Sequence, residues 1–353
     1  MLMKAARFYK GEGKAFRVMP GTVEGTAGFL KIEEVSVPGI AEPNDVLIEV
    51  KACGICGTDL QILLGGHPAN DRTILGHEYA GMVRDVGKDV WHVKPGDRVV
   101  VDPNLKCGRC FYCRCGQENL CENMTTLGIF KDGGFANYNV APEGAVHKIP
   151  PDMPYSQSTL VEPVSCVVHG IKRADIQPGD HVVVLGAGPI GLIFSQLIKA
   201  LYTSKIIVSE TDDYRLRKAG EIGIGVLVNP KRQDVKKEVL SQTNNRGADV
   251  VVEATGVLAG QALDLVRKGG KVLLFGMNER AEAKIKPYYI TRYQLSILGS
   301  FIANYTFQPA IDLLFHKRID ANTLITHEYP LEELPKGMDL MYQKKCIKVV
   351  IKP

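Results

Sequence analysis

His181-Val182-Val183-Val184-Leu185 runs without a break into Gly186-Ala187-Gly188-Pro189-Ile190-Gly191, and Leu192 to Ala200 continues with the apolar content of a helix. The three glycines carry meaning because of where they fall, between a fully apolar strand and a helix. The first permits the tight turn, the second lets a pyrophosphate approach the backbone, and the third lets helix and strand pack closely, with the phosphate at the helix N-terminus. Gly186, Gly188, Pro189, Ile190 and Gly191 are therefore candidate dinucleotide contacts. Glu210 lies 19 residues beyond Gly191, at the end of the next apolar strand, where a ribose-binding acid is expected. A carboxylate there accepts hydrogen bonds from the adenosine ribose and repels a 2′-phosphate. Thr211 brings no compensating positive charge, so NAD is expected over NADP. Arg215 is a candidate to lie under the adenine, with a helix-surface position as the alternative. A flexible turn and a surface acid are the bland alternative for the loop and Glu210.

Outward from this loop the same texture continues. Lys205 to Val208, Ala248 to Val252 and Lys271 to Phe275 read as buried parallel strands with amphipathic helices between them, a doubly wound α/β sheet. Before about Tyr155 the pattern is different. Val46 to Val50 and Arg98 to Val101 are short strands separated by Gly, Pro and Asp turns, the pattern of a β-barrel-like fold. After about residue 300 a helix at Gln308 to His316 and a strand at Cys346 to Ile351 are expected, and this tail is assigned back to the first domain. The expected domains are 1–158, 159–298 and a return at 299–353. Gly11 to Phe29 is glycine-rich and reads as a surface loop.

The 353 residues are 45% hydrophobic and 23% charged, an ordinary globular composition long enough for two domains. A net charge of +4 is too mild and too evenly spread to point to nucleic acid or membrane as partners, which leaves small-molecule chemistry. The Lys231-Arg232 and Lys236-Lys237 pairs are interrupted by Asp234 and read as a solvated helix face. No uncharged run approaches the roughly 20 residues of a membrane span, and Met1 to Arg7 lacks a secretory apolar stretch, so a cytoplasmic location is expected. Nine cysteines, seven of them crowded into two short segments, do not resemble a secreted disulfide framework and point to metal.

Cys107, Cys110, Cys113 and Cys121 place four thiolates on one short loop. Four soft donors suit tetrahedral zinc with no vacant position, a structural site; iron–sulfur ligation is the alternative, although the spacing does not fit ferredoxin patterns. Cys115 reads as a bystander thiol. A second set is dispersed: Cys56, His77 and Glu162, with Glu78 directly after His77. One sulfur, one nitrogen and one or two oxygens make an open site, the requirement of a catalytic zinc. If Glu78 begins a strand, it and His77 point to opposite faces, which ranks Glu162 above Glu78 as ligand and gives Glu78 an exchanging or supporting role. Cys53 and Cys56 form a C-x-x-C pair, but no thioredoxin-like context surrounds them.

Taken together, Gly54-Ile55-Cys56-Gly57-Thr58-Asp59, Gly76-His77-Glu78, the four-cysteine loop and Gly186 to Gly191 resemble, in order, the zinc-containing medium-chain dehydrogenase family. The resemblance spans essentially the whole chain. It implies a GroES-like catalytic domain interrupted by a Rossmann domain, two zinc ions per chain, catalysis in the cleft between the domains, and a homodimer or homotetramer. Leu160-Val161-Glu162-Pro163-Val164-Ser165 is similar to the segment of sorbitol and other polyol dehydrogenases in which glutamate replaces a cysteine ligand. The implied reaction is hydride transfer between a secondary alcohol, a polyol or sugar derivative, and NAD, with Thr58 passing the alcohol proton and Glu78 and Glu162 as catalytic carboxylates. Gln61 stands where many relatives carry a relay histidine, and Ile62, Ile302 and Ala303 stand where animal sorbitol dehydrogenases carry tyrosine or arginine. L-Threonine or butanediol-type dehydrogenase is the alternative enzyme, and a non-catalytic zinc-stabilised nucleotide-binding protein the alternative outside enzymes.

Overall fold

Strands without a polar face must be covered on both sides, and in the computed structural model those around the glycine loop are. The structure describes residues 1–13, 15–202 and 205–353. Six strands, β1 (His181–Leu185), β2 (Lys205–Ser209), β3 (Val226–Val228), β4 (Ala248–Glu253), β5 (Val266–Leu274) and β6 (Ser296–Gly299), form one sheet in the order β3-β2-β1-β4-β5-β6. Every pairing in it is parallel. Val182, Val183, Val184 and Leu185 of the central strand are fully buried. The strand order reverses between β1 and β4, and in such sheets ligands bind beyond the carboxyl ends of the strands at that point. The crossover helices are started locally: Asp212 accepts from the Arg215 amide and Asp234 from the Lys237 amide, the side-chain caps that satisfy otherwise orphaned donors.

The other major sheet has the order Val146–Lys148, Arg98–Val101, Glu78–Val86, Asp45–Gly54, Lys348–Lys352, Ile325–Pro330, and Tyr138–Pro142 also pairs with Asp45–Gly54. All its ladders are antiparallel except that between the last two strands. Its core includes Val46, Ile48, Tyr79, Val99, Val349 and Ile351, all essentially inaccessible. The expected barrel-like first half and doubly wound second half are both present.

Two expectations need correction. Gly11 to Phe29 is not a surface loop: its described part contains strands Arg17–Met19 and Thr22–Gly25 and leads into Gly28–Ser36, three members of a four-stranded antiparallel sheet with Leu2–Lys10. The glycines serve close approach. A Cβ at Gly25 would collide with the Leu63 carbonyl, and one at Gly28, whose φ is +151°, with the Tyr9 carbonyl. Lys14 lies outside the described residues.

The domain limits also move. The chain divides into a first unit, Met1–Pro163, Phe307–Phe315 and Ile325–Pro353, and a second, Val164–Thr306 and His316–Leu324. Residues 300–306 stay with the second unit because Ser300 N donates to Leu274 O, 3.1 Å, extending the β5–β6 alignment. Residues 316–324 join it because Gln196, on the helix Pro189–Leu201, bonds the backbone of Asp320 in both directions at 3.3 and 2.5 Å.

Candidate metal and nucleotide sites

Two antiparallel strands build the first cluster. Asp45–Gly54 ends where Glu78–Val86 begins, with Gly54 opposite Glu78, so Cys56 just beyond one strand and His77 just before the other are brought together. Gly76, at φ +91°, makes the entry; a side chain there would press on Cys53 Sγ and the Phe135 ring. Cys56 caps the helix Gly57–Leu63, and its amide donates to Asp59 Oδ2 at 2.8 Å. One ligand atom each from Cys56, His77 and Glu78 lie within 4.8 Å of one another. Thr58 Oγ1 is 3.7 Å from Cys56 Sγ, and Gln61, on the same helix, is exposed.

His77 Nδ1 and Asp59 Oδ1 face each other at 3.7 Å, too long for a hydrogen bond, and both are buried with no hydrogen-bond partner among the described residues. Burial pushes the His77 imidazole pKa down, but the Cys56 sulfur, Asp59 and Glu162 push it up further, and the net shift is well upward. Burial likewise raises the Asp59 carboxyl. The sulfur and carboxylates that raise the imidazole favour a positive charge at this place, and the donor types fit a borderline divalent metal such as zinc.

The alternation argument against Glu78 does not apply, because His77 lies outside the strand and its direction is set by the Gly76 turn. A different restraint acts on Glu78. Both its oxygens accept from Lys348 Nζ, at 2.7 and 2.6 Å, and the same ammonium donates to Ile55 O at 3.2 Å. Lys348 and Glu78 are both buried. Burial lowers the lysine pKa and the charge of Glu78 raises it, with a net rise that keeps the ammonium charged. Glu162 is buried in the first turn of the helix Val161–Ala174. It acts electrostatically on both His77 and Lys348. Asp59 and Lys348 were not foreseen from the sequence. The available signal for Lys348 was a charge inside Ile347-Lys348-Val349-Val350-Ile351.

The second cluster is compact. Ligand atoms of Cys107, Cys110, Cys113 and Cys121 lie within 4.8 Å of one another around the short helix Phe111–Arg114. Cys107 Sγ accepts from the Cys110 amide at 3.4 Å, and Cys121 Sγ from the Cys107 amide at 3.3 Å. The Arg109 and Cys110 amides bring the Cys107 thiol down to about 6, whereas burial and the neighbouring Cys110 thiol push Cys113 up to about 12. Four thiols this close cannot all ionise unaided, and a divalent metal removes that conflict. Cys115 is exposed and outside the group.

At the glycine loop, Gly186 has φ +99°, and a Cβ at Gly191 would collide with the Gly186 carbonyl. Helix and strand therefore approach closely, and Gly188 caps the helix Pro189–Leu201, whose first turn carries Pro189, Ile190 and Gly191. Glu210 sits beside the loop. Its Oε2 accepts from Ala187 N at 2.8 Å, and its Oε1 from Asp212 N at 2.9 Å. The Arg215 guanidinium lies against Gly188, 3.7 Å from where a Cβ would stand. Arg232, a nearby cation, is engaged by both oxygens of Asp213 at 2.6 and 3.0 Å. A close strand-to-helix turn with a carboxylate beside it is what a dinucleotide's pyrophosphate and ribose require.

The chain is similar to known proteins over its whole length. Residues 42–151 match the alcohol dehydrogenase GroES-like domain and residues 189–316 the zinc-binding dehydrogenase domain. The chain is 35% identical to sorbitol dehydrogenase of Halalkalibacterium halodurans over 337 residues, 94% of this chain and 98% of that one. It is 34% identical to L-threonine 3-dehydrogenase of Caldanaerobacter subterraneus subsp. tengcongensis over 336 residues, 91% of this chain and 95% of that one. The NADP-bound structure of a zinc-binding dehydrogenase from Sinorhizobium meliloti 1021 superposes with a TM-score of 0.90 at 32% identity, covering 100% of both chains. The chain belongs to the zinc-containing medium-chain alcohol dehydrogenase family, with its GroES-like and Rossmann domains. It is a zinc-dependent dehydrogenase that works with a nicotinamide dinucleotide.

Proposed function

We propose that this dehydrogenase oxidises a secondary carbinol of a polyol or sugar derivative and passes the hydride to NAD. The observation that carries the reading is the cluster of half-buried Cys56 with buried His77 and Glu78, beside which His77 Nδ1 and Asp59 Oδ1 have no hydrogen-bond partner among the described residues. Cys56, His77 and Glu162 would hold a catalytic zinc, and Cys107, Cys110, Cys113 and Cys121 a structural one. When bound, the catalytic zinc supplies Lewis acidity toward the substrate oxygen. The protein side chains do the rest. Asp59 Oδ1 faces Nδ1 of His77 at 3.7 Å, which leaves Nε2 as the nitrogen that would meet the metal. Lys348 occupies both Glu78 oxygens, so Glu78 supports the cluster electrostatically while Glu162 supplies the third donor. The Thr58 hydroxyl, beside Cys56, takes the alcohol proton and hands it onward.

Glu210 favours NAD, since its carboxylate repels a 2′-phosphate, and Arg215 lies on the glycine loop for the adenosine half. The polyol substrate is supported by the sorbitol dehydrogenase relative and by Glu162 in its Val-Glu-Pro segment. The L-threonine 3-dehydrogenase relative supports a second reading, an amino alcohol substrate. A homodimer or homotetramer in the cytoplasm completes the proposal, the latter supported by nine free cysteines, which suit a reducing compartment.

A panel of hexitols, pentitols, 2,3-butanediol and L-threonine with NAD and with NADP, followed by NADH absorbance, tests the substrate. Turnover of polyols with NAD and two zinc ions per chain is expected. Turnover of L-threonine alone would establish the second reading, and one zinc per chain without turnover would refute both.

A further inference from the structure

The segment following β6 is strained without an evident local reason. Ile302 has φ +40° and Tyr305 φ +53°. A β-branched residue in left-handed backbone is an outlier that persists only when its surroundings impose it. Here the imposing group is visible. His169, buried on the helix Val161–Ala174, donates from Nδ1 to Ile302 O at 2.7 Å. Arg173, one turn further on the same face, donates from Nε to Gly299 O at 2.6 Å. One helix face thus grips a carbonyl at each end of the stretch Gly299 to Ile302.

Two buried polar atoms here have no hydrogen-bond partner among the described residues: Ser300 Oγ within the stretch, and Thr306 Oγ1 beyond it in the same segment. Its place in the sheet says what it faces. Glu210, at the carboxyl end of β2, marks the adenosine side of the dinucleotide, and the glycine loop after β1 marks the pyrophosphate. The rest of the molecule must run the other way, past the carboxyl ends of β4, β5 and β6. The stretch leaves β6 at that edge and is tied to the end of β5 by the bond from Ser300 N to Leu274 O.

We propose that His169 is a positioning residue for the nicotinamide half of the dinucleotide. Its Nδ1–H fixes Ile302 in a backbone conformation the residue would not otherwise adopt, and this presets the shape of the 300–305 stretch before the cofactor arrives. Only the imidazole tautomer protonated at Nδ1 can donate to the carbonyl, so the role is directional. The inference rests on the dinucleotide reading above, and it adds a residue that touches neither the metal nor the glycine loop.

The test is a pair of titrations on the isolated, zinc-loaded protein: NADH by its fluorescence, and ADP-ribose, which has the adenosine and pyrophosphate halves but no nicotinamide, by displacement or calorimetry. Wild type should bind both. His169→Leu should weaken NADH by roughly tenfold, as expected for one lost hydrogen bond, and leave ADP-ribose unchanged. Its retained ADP-ribose binding also shows that the unit is folded. His169→Asn, whose amide nitrogen can reach the place of Nδ1, should restore most of the NADH affinity. Unchanged NADH binding in His169→Leu overturns the proposal, as does equal weakening of both ligands, which would make His169 a structural residue only. Failure of wild type to bind ADP-ribose would overturn the dinucleotide reading itself.

Discussion

Replacing Lys348 with methionine removes the cation from a buried pair and leaves its carboxylate behind. Lys348 Nζ has three protons and three acceptors, the two Glu78 oxygens and Ile55 O, so its hydrogen-bonding capacity is filled. Glu78 is 1% and Lys348 3% exposed, so water cannot replace the lost partner. Breaking such a pair on one side costs about 3–5 kcal/mol, far more than an exposed ion pair is worth. In a unit of about 200 residues that corresponds to a fall in Tm of roughly 6–20 °C. Lys348→Met/Glu78→Gln, which removes both charges, should recover more than half of the loss, because the dominant cost is the uncompensated charge and not the missing bond. Urea unfolding of the zinc-loaded wild type, the two single variants Lys348→Met and Glu78→Gln and the double variant, followed by circular dichroism, gives the three terms of the cycle, with matching m-values confirming that the same surface is exposed. A loss below about 1 kcal/mol in the single variant, or a double variant as unstable as the single, would refute the argument.

Three further outcomes are expected. Cys113→Ser should reduce zinc from two ions per chain to one while Cys56→Ser removes the other along with turnover, both read by metal analysis of dialysed protein. Glu210→Ala should narrow the preference for NAD over NADP about five- to thirtyfold, the worth of roughly 1–2 kcal/mol of like-charge repulsion, measured as a ratio of kcat/KM values. Burial raises the Asp249 carboxyl, but the His181 amide at 2.7 Å and the Arg267 guanidinium at 2.5 Å outweigh it, and its net pKa is lowered. A depressed carboxylate stabilises the fold above its unfolded pKa and loses that contribution as pH falls through the folded one. Asp249→Asn should therefore be less stable than wild type at neutral pH, with the gap closing below pH ~4 in thermal melts.

What could be read from the sequence was what the chain writes locally. The glycine loop, Glu210 and the four cysteines each declare themselves within a few tens of residues, because a turn, a helix start or a tetrahedral site demands fixed spacing. Asp59 stands in the Gly54 to Asp59 motif with nothing in its spacing to pair it with His77, 18 residues on, and only the fold shows it buried against that ring. Glycines between 11 and 29 signalled freedom by composition, whereas Gly25 and Gly28 are there because neighbouring backbone leaves no room. The strand alternation used to set Glu78 aside was sound for a continuous strand, and it failed because the strand begins one residue after His77. Domain limits shifted for a similar reason: Gln196 and Ser300 make their decisive bonds to residues distant in sequence or beyond a strand end.

The position of Lys348 next to Glu78 bears on how the chain is made. The two are 270 residues apart, and at ribosomal rates the lysine follows the glutamate by roughly 15–55 s. All six strands of the nucleotide sheet emerge within that interval. The nascent chain therefore has the strands of its glycine-loop unit before the other unit has its closing strand and the cation that makes a charged Glu78 tolerable inside it. Until then Glu78 must stay in water or protonated, so on the proposed ligand set metal capture by Cys56 and His77 is expected to follow the cofactor cradle.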